Sequence, residues 1–172
     1  MSSREKLSLR LAGLAPGHTR LTGAMHFVVR DAAELDEPYD VQVACDVDSL
    51  GKRVHVRGDI AGTATSICHR CLRTFERGLQ TTFDVTIQRG SAAQDDDPAG
   101  ELVRVSDNAV EFDLEPSVRE AVLLEEPIQA VCSEGCQGLC PRCGADLNSN
   151  ACGCVPPTDP RWEQLENLKR LS

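Results

Sequence analysis

Leu7, Leu9 and Leu11 alternate with polar residues, and the same period of two returns at Val41, Val43, Cys45 and Val47. Side chains two positions apart share one face of a strand, so each run predicts a strand with one buried and one wet face. Val54 and Val56 alternate with His55 and Arg57, and Asp48-Ser-Leu-Gly51 supplies a turn before them. Residues 61–67 continue as a strand of small residues that leads straight into Cys68. Beyond Gly78, the positions Leu79, Thr81, Phe83, Val85 and Ile87 alternate again. The span 60–87 therefore predicts a β-hairpin with the pair Cys68 and Cys71 near its tip.

Residues 90–100 are polar and acidic and predict a mobile loop. Short strands are expected at 102–105 and 110–114, followed by a helix at 115–126. Asp113 or Glu115 stands near its N-cap, Pro116 in its first turn, and Pro127 prevents its continuation. Leu114, Val118, Ala121, Val122 and Leu124 would form its apolar face. A last short helix is expected from Asp159-Pro160, with Trp162, Leu165, Leu168 and Leu171 on a common side. The expected fold class is α+β and mostly β. An antiparallel, barrel-like sheet domain with its helix occupies 1–130, and a cysteine-rich, zinc-ribbon-like segment with the C-terminal helix occupies 131–172.

Composition changes this picture in three ways. Aromatic residues are only 3% of the 172, so the core must be aliphatic and base-stacking platforms are not expected. Charge is unevenly spread. Residues 1–94 hold 12 Lys/Arg against 11 Asp/Glu, a balance of +1, whereas residues 95–172 hold 6 against 16, a balance of −10. Between Lys52 and Arg89, seven basic residues face Asp59, Glu76 and Asp84, which is the one stretch with an electrostatic footprint for nucleic acid. A basic strand pair is equally an ordinary solvated surface.

The third change comes from nine cysteines. The start of the chain shows no apolar export segment, and no apolar run approaches the roughly 18 residues that span a bilayer. A cytoplasmic, reducing location is expected, where thiols bind metal rather than form disulfides. Residues 131–157 contain six cysteines among Gly, Pro and Asn and few aliphatic residues, so hydrocarbon burial cannot order them.

Eight cysteines fall into short-spaced pairs: Cys68 with Cys71, Cys132 with Cys136, Cys140 with Cys143, and Cys152 with Cys154. Zinc takes four soft ligands in a tetrahedron, commonly two from each of two loops. Cys140-Pro-Arg-Cys143-Gly144 has the form of a zinc knuckle, with Gly144 permitting the tight turn. The preferred pairing closes one site with Cys140, Cys143, Cys152 and Cys154. The other then uses Cys68, Cys71, Cys132 and Cys136, pinning the tail to the hairpin. Exchange of pairs between sites is sterically conceivable, so one or two zinc ions are compatible with the spacing. Two such sites would add a charge of about −4, from eight thiolates and two divalent cations.

Competing chemistry is thinner. Cys136-x3-Cys140-x2-Cys143 has the spacing of the iron–sulfur triad of radical enzymes that use S-adenosylmethionine, but Arg142 stands where an aromatic is usual and the chain is short for the associated barrel. A four-thiolate iron–sulfur cluster is the other metal reading. A thioredoxin-like role for Cys68 and Cys71 would require a helix opening a βαβ unit, whereas this pair follows a strand. The histidines His18, His26, His55 and His69 form no triad, and no Gly-rich phosphate loop is present. His69, between two candidate ligands, reads as a ligand or as a solvent-facing loop residue. No active site is expected.

Glu125-Glu126-Pro-Ile-Gln-Ala-Val-Cys132, Gly138-Leu-Cys140-Pro-Arg-Cys143-Gly-Ala-Asp-Leu147-Asn148, Cys152-Gly-Cys154 and Asp159-Pro-Arg161-Trp162 together resemble the bacterial YceD family, named for large ribosomal RNA subunit accumulation. Cys68-His-Arg-Cys71-Leu72 is similar to that family's upstream cysteine pair. The resemblance is most specific from about residue 60 to 168. It implies a non-catalytic, zinc-stabilised factor in ribosome biogenesis that promotes accumulation of large-subunit (23S) ribosomal RNA. The implied partner is that RNA or a large-subunit ribosomal protein, with neither a membrane nor a small-molecule substrate. Direct RNA contact would fall to Lys52, Arg53, Arg57, His69, Arg70, Arg73 and Arg77. An alternative is an interaction adaptor whose acidic C-terminal part captures a basic ribosomal protein, and a third is a metal-dependent oxidoreductase.

Overall fold

The computed structural model describes residues 7–30, 36–90, 102–149 and 152–154. Alternating sequence becomes a twisted five-stranded sheet built mainly from two long hairpins. Its strands are β2 (Gly17–Arg30), β3 (Asp36–Leu50), β4 (Arg53–Ile67), β5 (Thr74–Arg89) and β6 (Leu102–Val105), in that order across the sheet. β2 to β5 are antiparallel neighbours, whereas β6 runs parallel to β5. Two further strands, β1 (Ser8–Arg10) and β7 (Glu111–Asp113), form a separate antiparallel ribbon. The helix α1 is Glu115–Leu124.

The barrel-like expectation is corrected: the sheet is open, with β2 and β6 at its edges. One face is instead capped by other elements. Tyr39, Val41, Val43, Cys45 and Val47 of β3 and Val54, Val56 and Ile60 of β4 point inward. They pack with Leu7, Leu9 and Leu11 from the β1 segment and with Leu114, Val118 and Val122 from the helix. An amphipathic sheet needs one apolar cover, and once a ribbon and a helix supply it there is no hydrophobic reason to close. The all-antiparallel expectation also fails at β6, which pairs Thr86 with Leu102 and Arg89 with Val105 in parallel.

The helix has a local cause. Asp113 Oδ1 accepts the Glu115 N–H at 3.0 Å, and Pro116 sits in the first turn, where its missing N–H has no helical partner to lose. Val118 and Val122 are buried as a one-turn pair, but Leu124, expected on the same face, is exposed. It stands two residues beyond Val122, about 200° round the helix, and so faces away from the sheet. Phe27 and Tyr39 stack across β2 and β3 with ring centroids 5.0 Å apart, and the Arg119 guanidinium lies 5.3 Å over Phe27. The second helix expected beyond Asp159 lies outside the described residues, as does most of the acidic loop.

Within the sheet, glycine is needed at a turn and at a close strand contact. Gly51 turns the β3–β4 connection at φ +66°. At Gly62 a side chain would run into the main chain of Asp40 and Val41 on the paired strand.

Candidate metal centres

The β4–β5 hairpin carries Cys68-His-Arg-Cys71 between its strands, and this tip forms a second, smaller packed cluster. Cys68, Cys71 and Cys136 are buried there against Phe75, Val131 and Leu139. Main-chain hydrogen bonds fasten the tail to the tip: His69 N–H donates to Ala130 O at 2.9 Å, and Leu139 N–H to Arg70 O at 3.1 Å. Gly138, at φ +75°, lies so close to the Arg70 carbonyl that a side chain would collide with it. The Arg70 guanidinium adds donors to the carbonyls of Glu134 and Cys136, at 3.3 and 2.9 Å.

Eight thiols converge as two groups of four. One is Cys68, Cys71, Cys132 and Cys136; the other is Cys140, Cys143, Cys152 and Cys154; within each, the sulfurs all lie within 4.8 Å of one another. The spacing reading left the exchange of pairs open, and these are the groups that the tertiary structure assembles. Cys136 falls in one group and Cys140 with Cys143 in the other, so the radical-enzyme triad is divided between two places. Cys45, the ninth cysteine, is buried in β3 away from both.

The sulfur spacing tests whether a metal fits. A tetrahedron with metal–sulfur bonds of about 2.3 Å has edges of about 3.8 Å. Cys68 Sγ and Cys136 Sγ are 3.8 Å apart, and Cys71 Sγ and Cys132 Sγ are 3.7 Å apart. A disulfide needs about 2.05 Å, and none of the nine cysteines forms one. The donor set is all thiolate, the chemistry of structural zinc or of iron–sulfur clusters.

Both groups use one local device. Leu72 N–H donates to Cys68 O at 2.9 Å, and Gly144 N–H donates to Cys140 O at 2.9 Å. Each residue follows the second cysteine of a CxRC turn and takes a left-handed conformation, with φ of 58° for Leu72 and 72° for Gly144. The turn brings the first and second sulfurs onto one side of the loop. Glycine adopts it freely at 144, whereas leucine at 72 carries a steric cost.

Electrostatics favours thiolate at selected sulfurs. Burial raises the Cys68 thiol, but main-chain hydrogen bonds from Cys71, Cys132 and Arg70 outweigh this and bring it down to about 5. Arg73, whose guanidinium is 3.2 Å from Cys132 Sγ, pulls that thiol down as well. In the second group, main-chain hydrogen bonds from Cys143 and Arg142 lower Cys140 to about 6. Cys154 is pushed up to about 12 by its hydrogen bond with Cys143 and then by burial. Thiols this close share protons and titrate as a group, and a divalent cation can take the place of those protons.

Asn148 braces the first group. Its position lies eight residues beyond Cys140, yet its side-chain N–H reaches Cys136 Sγ at 3.6 Å and its carbonyl oxygen accepts Gln137 N–H at 2.8 Å. Asp146 holds it by accepting from the Asn148 main chain and side chain at 2.9 and 2.6 Å. Those bonds also keep the Asp146 carboxyl below its ordinary value. Sequence spacing gives no hint of this reach, because it depends on the Leu139–Asp146 bridge that folds the knuckle back.

The basic residues proposed for RNA separate into two sets. Lys52, Arg53 and Arg57 lie at the turn end of β4, while His69, Arg70, Arg73 and Arg77 lie at or near the cysteine tip. β4 alone spans roughly 45 Å at about 3.3 Å per residue, so one contact patch cannot hold both. Several have structural partners: Lys52 with Asp107, Arg57 with Asp84, and Arg77 with Glu126. His69 is exposed and outside the thiol group, which answers to the loop rather than the ligand reading.

A family model described as large ribosomal RNA subunit accumulation protein YceD matches residues 56–169. This chain belongs to the YceD family. The match runs from β4 through both thiol groups. Among curated relatives with the YceD name, a chloroplastic YCED homolog 1 of Arabidopsis thaliana is 25% identical, over 83% of this chain and 52% of its own length. The homologue of the same name from Zea mays is 27% identical over 67% of this chain and 49% of its own length. An uncharacterized protein of Mycobacterium tuberculosis is 34% identical over 71% of this chain and 58% of its own length. The chain thus spans about half the length of the curated relatives it matches. No solved structure matches it. Among the described residues, no helix is long and apolar enough to cross a membrane.

Proposed function

We propose that this YceD-family protein is a non-catalytic, zinc-stabilised factor of the cytoplasm that promotes accumulation of large-subunit ribosomal RNA. The family match over residues 56–169 carries the ribosomal part of this reading. The zinc part is supported by two four-thiol groups, and by sulfur pairs 3.7 and 3.8 Å apart in the first. Bound zinc would supply structural cross-links, tying Cys132 and Cys136 of the tail to the hairpin tip and closing residues 140–154 as a knuckle. The tail is then held by metal and a few main-chain hydrogen bonds rather than by a core of its own.

RNA contact is assigned to exposed cations at both ends of the hairpin: Lys52, Arg53 and Arg57 at one, and His69, Arg70 and Arg73 at the other. Arg77, with its side chain 14% exposed and paired to Glu126, contributes to the fold. Phosphate contacts of this kind weaken steeply with salt. Depletion in cells tests the role: mature large-subunit RNA should fall while small-subunit RNA persists. Equal levels of both would refute it.

The balance of −10 after residue 94 favours a second reading, in which the acidic part captures a basic ribosomal protein. Partner recovery that survives RNase and is lost on neutralising Asp95, Asp96 and Asp97 would select this mode over direct RNA contact.

A further inference from the structure

The two edges of the sheet are unlike. β6 is 4 residues long, too short to template another strand, whereas β2 is 14 residues long. Natural sheets blunt a long edge with lysine, proline, a bulge, an inward charge or a covering segment. β2 contains neither lysine nor proline. Its register with β3 runs from Gly17 with Ser49 to Arg30 with Asp36 without a bulge. The inner-face positions Leu21, Gly23, Met25, Phe27 and Val29 are all uncharged.

Strand register fixes where the main chain of β2 points. Leu50 and Arg53 flank the two-residue turn between β3 and β4, so they form a hydrogen-bonded pair. Such pairs alternate along a strand, so even-numbered residues of β3 bond to β4 and odd-numbered ones to β2. The N–H and C=O groups of Arg20, Thr22, Ala24, His26 and Val28 therefore face the open edge. Val28 agrees with this, because its carbonyl accepts the Arg119 guanidinium at 3.1 Å. Among the described residues, no main-chain group other than those of β3 bonds to β2.

We infer that β2 pairs with β2 of a second copy of this chain, antiparallel about a two-fold axis through Ala24, joining two sheets into one. A two-fold interface must be complementary to itself. In this register Ala24 meets Ala24, Arg20 lies opposite Val28, and Thr22 lies opposite His26, so no like charges face each other. On the inner face Gly23, which has no side chain, lies opposite the half-buried Met25, and the half-buried Leu21 gains cover from Phe27. Val28, 42% exposed, is covered by the Arg20 stem. The cations of β2 are answered within their own sheet: His18 contacts Asp46 and Asp48, His26 contacts Asp40, and Arg20 stands in register with Asp46. A second copy therefore meets little uncompensated charge at this edge, although the whole chain carries −9. The Val28 carbonyl has two lone pairs, so Arg119 and a strand N–H can share it.

The test uses the full chain as purified. Sedimentation equilibrium over a dilution series should show a dimer that dissociates on dilution. Amides of Leu21, Met25 and Phe27, bonded to β3, should resist hydrogen exchange at every concentration, whereas those of Thr22, Ala24 and His26 should be protected only in the dimer. Ala24→Lys sets two cations opposite each other across the axis and should raise the dissociation constant at least about 10-fold. Ala24→Pro removes an edge N–H that no bond to β3 uses, so it should give a folded monomer. Should the proline variant misfold, the lysine variant carries the comparison, because Ala24 is exposed. A chain that stays monomeric, a dimer in which the Thr22, Ala24 and His26 amides exchange freely, or unchanged dimerisation of Ala24→Lys would overturn the pairing. Protection of those amides in a monomer, seen only after large-subunit ribosomal proteins are added, would assign the edge to a foreign strand and overturn it equally.

Discussion

The Arg77 guanidinium donates to Glu126 Oε1, joining β5 to the segment that follows the helix. The same oxygen accepts the Tyr39 hydroxyl. Tyr39, Ala64 and Arg77 stand in one row across β3, β4 and β5, so the carboxylate bridges two strands over the small side chain between them. Tyr39 is fully buried and the two charged side chains are largely so, at 14% and 27% exposure. Removing the acceptor takes a shared partner from a cation and a hydroxyl at once.

Glu126→Ala should therefore destabilise by about 2 kcal/mol, more than the roughly 1 kcal/mol expected for Tyr39→Phe, which deletes one neutral donor. Urea unfolding of the two variants checks the order. Equal losses would show that the ion pair is not coupled to the fold.

Zinc stoichiometry should report two independent centres. Metal analysis of the purified protein should find two equivalents, with one lost in Cys136→Ser and one in Cys143→Ser. Asn148→Ala and Arg73→Gln remove groups that touch ligand sulfurs, so each should weaken the first centre about 10- to 100-fold in competition with a chromophoric chelator. Iron with visible absorbance, or a single equivalent lost by either serine variant, would contradict the assignment.

The matched turns make opposite substitutions informative. Leu72→Gly removes a left-handed leucine that is 65% exposed, so stability should rise by up to about 1 kcal/mol after the entropy that glycine adds to the unfolded chain. Gly144→Ala should cost about 1 kcal/mol, because φ is +72° there. Thermal unfolding of the zinc-loaded protein distinguishes them. A destabilised Leu72→Gly would mean that the leucine makes a contact outweighing its backbone strain.

Cys45 supplies a pH dependence at the alkaline end. Burial, then the nearby Asp46 and Asp59 charges, push its thiol up to about 11 from an ordinary 9. A pKa raised by folding stabilises the native state fully below the unfolded value, and that contribution disappears as pH climbs from 9 through 11. Wild type should thus lose more stability over this window than Cys45→Val, which has nothing to ionise there. Parallel pH profiles would show that Cys45 ionises equally easily in both states.

Much of the strand pattern is legible locally. Alternation at 41–47, 54–60 and 79–87 reports the inward face, because the pleat enforces a period of two whatever the neighbours are. β2 is not singled out: Gly23 and Met25 take inward positions among His, Thr and Ala, and the contrast is too weak. Leu124 illustrates the limit for helices. Grouping it with Val118 and Val122 does not follow from the helical period, which puts a residue two positions beyond Val122 about 200° round the helix.

The residues alone showed that residues 131–157 hold six cysteines and few aliphatic side chains, and that a CxxC turn would stand at the tip of a hairpin. Short spacing restricts which sulfurs can converge, and hydrophobic period restricts which faces can hide. Only the tertiary structure decided that Arg77 belongs to Glu126, that Asn148 reaches Cys136, and that Arg53, Gln88 and Arg104 form one row. Those relationships depend on strand register and on chain reversals, which bring together residues 49, 12 and up to 51 positions apart, and local sequence does not encode such distances.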